Sequence, residues 1–279
     1  MKTRVLSGIV LTVLLAAAVV FSGVPFVMNT LFGLIAAAGV WEMMRVSGLS
    51  AHRGMTAFSV AFAGLFVFFS DPWICADYRT ALTCATFVFI LVVLVFGMKH
   101  NDTVTPSNAV FLSAITLMVA YFFSTAVLLR HANETGLWHL ILIFVLSWLP
   151  DTGAYFTGYF FGKHKLSPVI SPKKTIEGAV GGLLTGILAT VLWGLAVGHF
   201  SPELSINWRI LPVYAVGGVI VSILGDLTAS YIKRHYGVKD YSDLIPGHGG
   251  IMDRFDSVWF VSPFVFLLWQ VCPLFLPSV

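Results

Sequence analysis

Nine runs of about 20 mainly apolar residues fill most of the chain, at 5–22, 25–44, 55–70, 81–98, 109–129, 137–161, 176–197, 210–232 and 257–276. A run of that length, coiled as an α-helix, crosses a hydrocarbon core about 30 Å thick. Backbone N–H and C=O groups find no water in lipid, and runs this long and continuous do not suit barrel strands. Each is therefore expected to be a transmembrane helix, and the expected fold class is all-α, a polytopic integral membrane helical bundle of nine transmembrane helices. Composition agrees: 58% of the 279 residues are apolar and 10% charged, against roughly 45–50% and 25% in soluble domains. One soluble core could not hide so much apolar surface, and the same excess excludes disorder.

The distribution of positive charge orients the bundle. One side holds 13 Lys and Arg, at Lys2, Arg4, Arg45, Arg53, Lys99, Lys163, Lys165, Lys173, Lys174, Lys233, Arg234, Lys239 and Arg254. The other holds only Arg79, Arg130 and Arg209. This bias predicts a cytoplasmic N-terminus, an outward C-terminus and two long cytoplasmic loops, 162–175 and 233–256; a bacterial inner membrane is the expected location. The first run reads as an uncleaved anchor, not a signal peptide, because eight further runs follow it. The chain is expected to form a single transmembrane domain, 1–279, with packing helices in 1–135 and catalytic helices and loops in 136–279. A formal charge of +3 is too small for a nucleic-acid partner. Cys75, Cys84 and Cys272 lack metal or disulfide spacing and are expected as apolar fillers. Asp71, Asp77, Glu134 and Glu203 read as solvated span ends, and Glu42 with Arg45 as an i, i+3 pair.

Chemistry is expected in the polar stretch 226–256. Asp226, Ser230 and Lys233 share one helical face. Asp226 interrupts a lipid-compatible run, where a charge costs roughly 2.5–3.5 kcal/mol and needs an offset. Asp253 and Asp256 stand three apart at the start of the ninth run, so both carboxylates are expected on one side of a turn. Oxygen-only ligands of this kind suit Mg²⁺, which takes one or two carboxylates and leaves its other positions to water and substrate phosphates. The rival interpretation is that Lys233, Arg254 and a loop lysine neutralise the three as a structural network. Gly247, His248, Gly249 and Gly250 admit close backbone approach and an anion-binding nest.

A second cluster, Ser171-Pro172-Lys173-Lys174-Thr175-Ile176-Glu177-Gly178, opens the seventh run. Ser171 as N-cap with Pro172 at the first helical position predicts a helix start there. Two lysines in that first turn would oppose the helix dipole unless a phosphate bound; contact with anionic headgroups is the alternative. Gly178, Gly182 and Gly186 repeat every fourth residue and predict a close helix–helix face. Asp151, after Pro150, predicts a locally broken helix lining a cavity, with Tyr155 as a hydrogen-bond partner.

These residues resemble the phosphatidate cytidylyltransferases, also called CDP-diacylglycerol synthases. The pattern fills Ser230, Lys233, Arg234, Lys239, Asp240, Pro246, His248, Gly249, Gly250, Asp253, Arg254 and Asp256. Gly225-Asp226-Leu227 precedes it, and Asp151 and the 171–178 segment fit as well. Residues 1–135 match only as hydrophobic spans of suitable number. The resemblance implies transfer of CMP from CTP to phosphatidate, with Asp226, Asp253 and Lys233 catalytic and Asp226, Asp253 and Asp256 holding Mg²⁺, a second cation being open. It implies substrate binding by Ser171, Lys173, Lys174, Thr175, Glu177, Ser230, Arg234, Lys239, Asp240, His248, Gly249, Gly250 and Arg254. CTP, phosphatidate and membrane lipid are the implied partners, and a homodimer is left open. A transporter or channel is the rival from another class, because Asp151 and Asp226 lie inside spans; a CTP-dependent lipid kinase or archaeal-type CDP-lipid synthase is the closer rival.

Overall fold

Every apolar run becomes a helix. The structure, a computed structural model, describes residues 2–24 and 26–276, with the side chains of 2–7, 9, 11 and 12 excepted. Lys2 and Arg4, which enter the orientation count, therefore have side chains outside the described residues. Nine α-helices are present among the described residues: α1 (Lys2–Val20), α2 (Val27–Val46), α3 (Arg53–Phe68), α4 (Tyr78–Lys99), α5 (Pro106–Ala132), α6 (Gly136–Phe161), α7 (Ile176–Phe200), α8 (Leu211–His235) and α9 (Met252–Val271). Six of them, α2 and α4 to α8, are long and apolar enough to cross a bilayer. The chain is an integral membrane protein. The shorter α3 is also apolar, while α9 carries Pro263 and begins with Asp253 in its first turn. Leu184, Leu188, Leu192 and Leu195 leave one stripe of α7 exposed, and α4 buries only Leu82, Phe89 and Val93. Such faces are tolerable only where lipid is the solvent.

The chain divides into two compact units, one comprising the helices before Ala132 with Tyr236–Arg254, the other Ala132–His235 with the chain from Phe255. The loop 236–254, expected with the C-terminal half, packs instead with the N-terminal helices, for a reason given below. In this first unit α2 and α3 touch backbone to backbone: a Cβ at Gly33 would lie 2.9 Å from the Gly64 carbonyl oxygen. Without a hydrophobic force between helices in lipid, such small-residue contacts supply the packing.

Asp71, expected as a solvated span end, is instead buried in this unit. It accepts from the Trp73 N–H at 2.9 Å and from Asn29 Nδ2 at 3.3 Å, and pairs with His131 Nδ1. Trp73 stacks on the His131 ring, centroids 5.0 Å apart. A buried carboxylate survives only with such partners, and these come from α2 and α5, beyond the reach of a local sequence window.

In the second unit the glycine face of α7 packs on α6 as expected. A Cβ at Gly182 would meet the Pro150 carbonyl oxygen at 2.9 Å, and one at Gly178 the Ala154 carbonyl oxygen at 2.8 Å. The α8 helix joins them with Gly218 against Leu146, and Gly225 abuts the backbone oxygen of Asp256 on α9, 2.6 Å from where its Cβ would be. Two short hairpins complete the unit: β1 (Lys165–Ser167) with β2 (Ser171–Thr175), and β3 (Ser205–Ile206) with β4 (Phe275–Leu276), both antiparallel.

Asp71 yields a pH test. Burial alone would raise its carboxyl, but the hydrogen bonds from His131, Trp73 N–H and Asn29 outweigh burial and hold it below its ordinary 3.8. A depressed folded value means the stabilisation is complete above the unfolded value and vanishes as pH falls through the folded one. Asp71→Asn should cost about 1–3 kcal/mol at neutral pH. Thermal melts in detergent should show the wild-type advantage flat above pH ~4 and shrinking below it; an advantage independent of pH down to 2.5 would remove the carboxylate from this account.

Candidate active site

The sequence around α7 makes a different helix start from the expected one. Residues 171–175 are strand β2, and the helix begins at Ile176 with Thr175 as its N-cap. Thr175 Oγ1 accepts from the Gly178 N–H at 3.1 Å. Ser171 therefore is not the cap, and Lys173 and Lys174 precede the helix, so no conflict with its dipole arises. Strand pairing of Lys165 with Thr175 and Ser167 with Ser171 claims the backbone that an earlier turn of helix would need. Glu177 occupies the first turn, where a negative charge is favourable, and accepts from the N–H groups of Lys163 (3.0 Å) and His164 (3.2 Å) and from His164 Nδ1 (2.6 Å). It ties the loop before the hairpin to the helix after it.

Side chains alternate along a strand, and this separates the two lysines. Lys173 is exposed, whereas Lys174 is half-buried and forms an ion pair with Asp226 of α8. On that helix Ser230 Oγ donates to Asp226 Oδ1 at 3.3 Å, and Lys233 is buried. The polar stripe Asp226, Ser230, Lys233 is thus present, and Asp226 is ion-paired with Lys174 of the hairpin.

Two more carboxylates face the same group. Asp151 of α6 accepts from Ser257 Oγ at 3.2 Å; α6 runs unbroken through Pro150, and Tyr155 is exposed and not its partner. Asp256 of α9 caps its own next residue, accepting from the Ser257 N–H at 2.8 Å. Asp256 experiences the charges of Asp226, Asp151 and Lys233, and Asp151 those of Asp226 and Lys174. Three carboxylates on three helices therefore share two ammonium groups. Gly225 makes this possible by letting α8 approach α9 beside Asp226. Among the described residues no group of three or more His, Cys, Asp or Glu side chains is close enough to hold a metal by itself. Mg²⁺ does not require one, since one or two carboxylates with water and phosphate suffice. The carboxyl and hydroxyl groups gathered here are oxygen donors, the chemical type that ion takes.

In the other unit lies the loop 236–254. Asp253 Oδ2 accepts from the N–H groups of Tyr241 and Gly250, both at 2.9 Å. Ile245 N–H bonds the Gly249 carbonyl at 2.9 Å, with Gly247 and Gly249 at φ of 78° and 85°; positive φ is the reason those two positions are glycine. The exposed Arg254 donates from Nε to the His248 carbonyl at 3.0 Å. Lys239, Asp240 and Arg234 are exposed, the last reaching the Ile170 carbonyl at 3.4 Å. The expected anion nest is already partly filled by the chain itself. The Gly250 N–H goes to Asp253, and those of Ile251 and Met252 to Glu42 of α2, each at 2.8 Å. Glu42 is fully buried and also accepts from Ser242 Oγ. The i, i+3 pair expected for it is absent, for Arg45 lies over the Trp41 ring, 5.7 Å from its centroid. Only one clue was available in the sequence: a lone acid inside an apolar run.

Known proteins resemble the chain along nearly its whole length. The chain matches the family model described as "Cytidylyltransferase family" over residues 2–272. It is 35% identical to a phosphatidate cytidylyltransferase of Haemophilus influenzae, over 95% of this chain and 96% of that protein. Proteins of the same name from Bacillus subtilis and Staphylococcus aureus are 30% and 32% identical, covering 96% of this chain and 97% and 98% of theirs.

A double-mutant cycle tests the pairing of hairpin and helix. Lys174→Met should lower the melting temperature by leaving three carboxyl groups to share the Lys233 ammonium alone, and adding Asp226→Asn should recover part of the loss. The coupling expected is roughly 0.5–3 kcal/mol. Strict additivity would show that the ion pair does not hold the site together.

Proposed function

The chain belongs to the cytidylyltransferase family, and we propose how its residues carry out that chemistry. It is a nucleotidyltransferase that moves CMP from CTP to phosphatidate, giving CDP-diacylglycerol and pyrophosphate. One observation carries the mechanistic reading: Asp151, Asp226 and Asp256, carboxyl groups on three helices, gather around the two ammonium groups of Lys174 and Lys233. Crowding of this kind opposes full ionisation of all three acids. A bound divalent cation would relieve it and bring phosphate anions with it.

A phosphate oxygen of the lipid attacks the α-phosphorus of CTP. The new P–O bond forms in line with the breaking bond to the β-phosphate oxygen, and pyrophosphate leaves with that electron pair. The attacking group is already an anion, so no protein nucleophile is required, and positioning with charge stabilisation carries the rate. Lys233 and Lys174 face the reacting phosphates from α8 and the hairpin, while exposed Lys173 and Arg234 draw in the triphosphate and pyrophosphate; Lys239 and Arg254 are given the same role by the family pattern alone. Ser230 holds Asp226 in its rotamer. Asp226 and Asp256 are the carboxylates we assign to Mg²⁺, with Asp253 a further donor on the sequence pattern alone. When bound, the ion supplies neutralisation between two polyanions.

The reading extends to topology. Nine spans with a cytoplasmic active site follow from the bias of basic residues toward one side. The pairing of β3, after α7, with β4, after α9, supports the alternation, which requires those two segments on one face of the membrane.

Purified protein in detergent should convert labelled CTP and phosphatidate to a CDP-lipid with release of pyrophosphate; phosphorylated lipid with CDP, or no turnover, would favour a kinase or a transporter. Asp226→Asn should reduce turnover by at least ~100-fold with membrane insertion intact, and near-normal activity would remove the carboxylate from the mechanism. Lys173→Ala should raise the apparent KM for one phosphorylated substrate, and an unchanged value for both would return that lysine to a purely topological role.

A further inference from the structure

We propose that Glu42, on the second helix and 200 residues before the loop it touches, is a positioning residue for CMP transfer: it sets where α9 begins and how the loop 241–252 is held. The inference rests on the reading above. No Ser, Thr, Asp or Asn stands at 249–251, so α9 has no N-cap residue just ahead of it. The first N–H groups of a helix must nevertheless be satisfied. Glu42 does this from another helix, its two oxygens accepting from Ile251 and Met252 N–H at 2.8 Å. Ser242 Oγ is a third donor.

Four observations make the contact specific rather than a chance filling of space. The carboxylate is fully buried, where an ion is costly unless every oxygen is bonded. Gly250 passes so close that a Cβ there would overlap the carboxylate, with Glu42 Cδ only 2.7 Å away. One turn earlier on α2, Gly39 admits the Met252 side chain, its Sδ 2.7 Å from where a Cβ would sit. And the neighbouring carboxylate of Asp253 fixes the same stretch, its Oδ2 accepting from the Gly250 and Tyr241 N–H groups at 2.9 Å. Two carboxylates therefore take three consecutive amides, Gly250 to Met252, and a helix N-terminus attracts both.

Neighbouring residues of this loop are the ones expected to meet the triphosphate, Lys239, His248 and Arg254 among them. The Arg254 guanidinium is aimed by the His248 carbonyl, which the same loop carries. Freeing the 250–252 amides loosens that frame without removing any group that touches substrate.

Hydrogen exchange and steady-state kinetics on the full chain in detergent, supplied with CTP, phosphatidate and Mg²⁺, test this together. Glu42→Gln keeps the shape but turns an N–H toward the amides. It should speed exchange at 250–252 by about tenfold or more and lower kcat/KM for CTP roughly 10–100-fold. KM for phosphatidate should stay within about twofold, since no loop residue is assigned to the lipid. Ser242→Ala, which removes one donor only, should move both readouts the same way by less, and it carries the test if Glu42→Gln does not fold. A folded variant with faster exchange and wild-type kinetics for CTP, or one with unchanged exchange, overturns the proposal. Wild-type protein without turnover would instead overturn the functional reading beneath it, and is recognised before any variant is compared.

Discussion

An acidic side chain inside a lipid-embedded helix must find a partner, and in this molecule each of the central ones finds it far away in sequence. The penalty for leaving such a charge unpaired is roughly 2.5–3.5 kcal/mol even on the mildest scales. Apolar faces cannot discriminate between neighbours when the solvent is as apolar as they are. Glu42 with the 242–252 loop, Asp151 with Ser257, and Asp226 with Lys174 are therefore contacts that select one packing from many, and Asp71, buried in the connection between α3 and α4, adds its bonds to Asn29 and His131. Glycines let them form: without Gly225 or Gly250 the backbones could not close on Asp256 or Glu42.

The same constraint explains why the three clustered carboxyl groups stand on helices. Asp151, Asp226 and Asp256 project from α6, α8 and α9, elements whose mutual spacing is set by glycine contacts and small side chains. A site built on such supports needs little reorganisation when charge develops. The β1–β2 hairpin adds a lysine at a defined depth, and its alternation sends the adjacent lysine to the surface. One strand thus provides both a half-buried counter-ion and an exposed cation, which a helical first turn would not have separated so cleanly.

The helices were legible because a run of apolar residues reports lipid burial whatever its neighbours are. Their ends were less so. Ser171-Pro172 is a genuine helix-start pattern, yet Thr175 three residues before Gly178 is a better one once the hairpin has taken residues 171–175. The 226–256 polar residues announced a site through their density, and the Gly225-Asp226 pair through its position in an apolar run. Glu42 and Asp71 were misread for one reason: local spacing offered Arg45 to the first and water to the second. Their real partners lie as far as 210 residues away, where no periodicity reaches.

The glycine-rich loop shows how a correct residue pattern can carry an incomplete physical reading. Gly247 to Gly250 suggested a backbone cradle for a ligand's phosphate, and a cradle for anions is what the segment forms. Its occupants at Gly250, Ile251 and Met252 are the carboxylates of Asp253 and Glu42. Those anions shape the loop before any substrate arrives, so the entropy of ordering it is spent on folding and not on binding. The exposed cations of the loop, Lys239 and Arg254, are then left for other anions, because the amides of Gly250 to Met252 are already satisfied. Under the role proposed for Glu42, that arrangement separates the groups that bind from the groups that hold the loop, and a side chain on the second helix serves the second purpose.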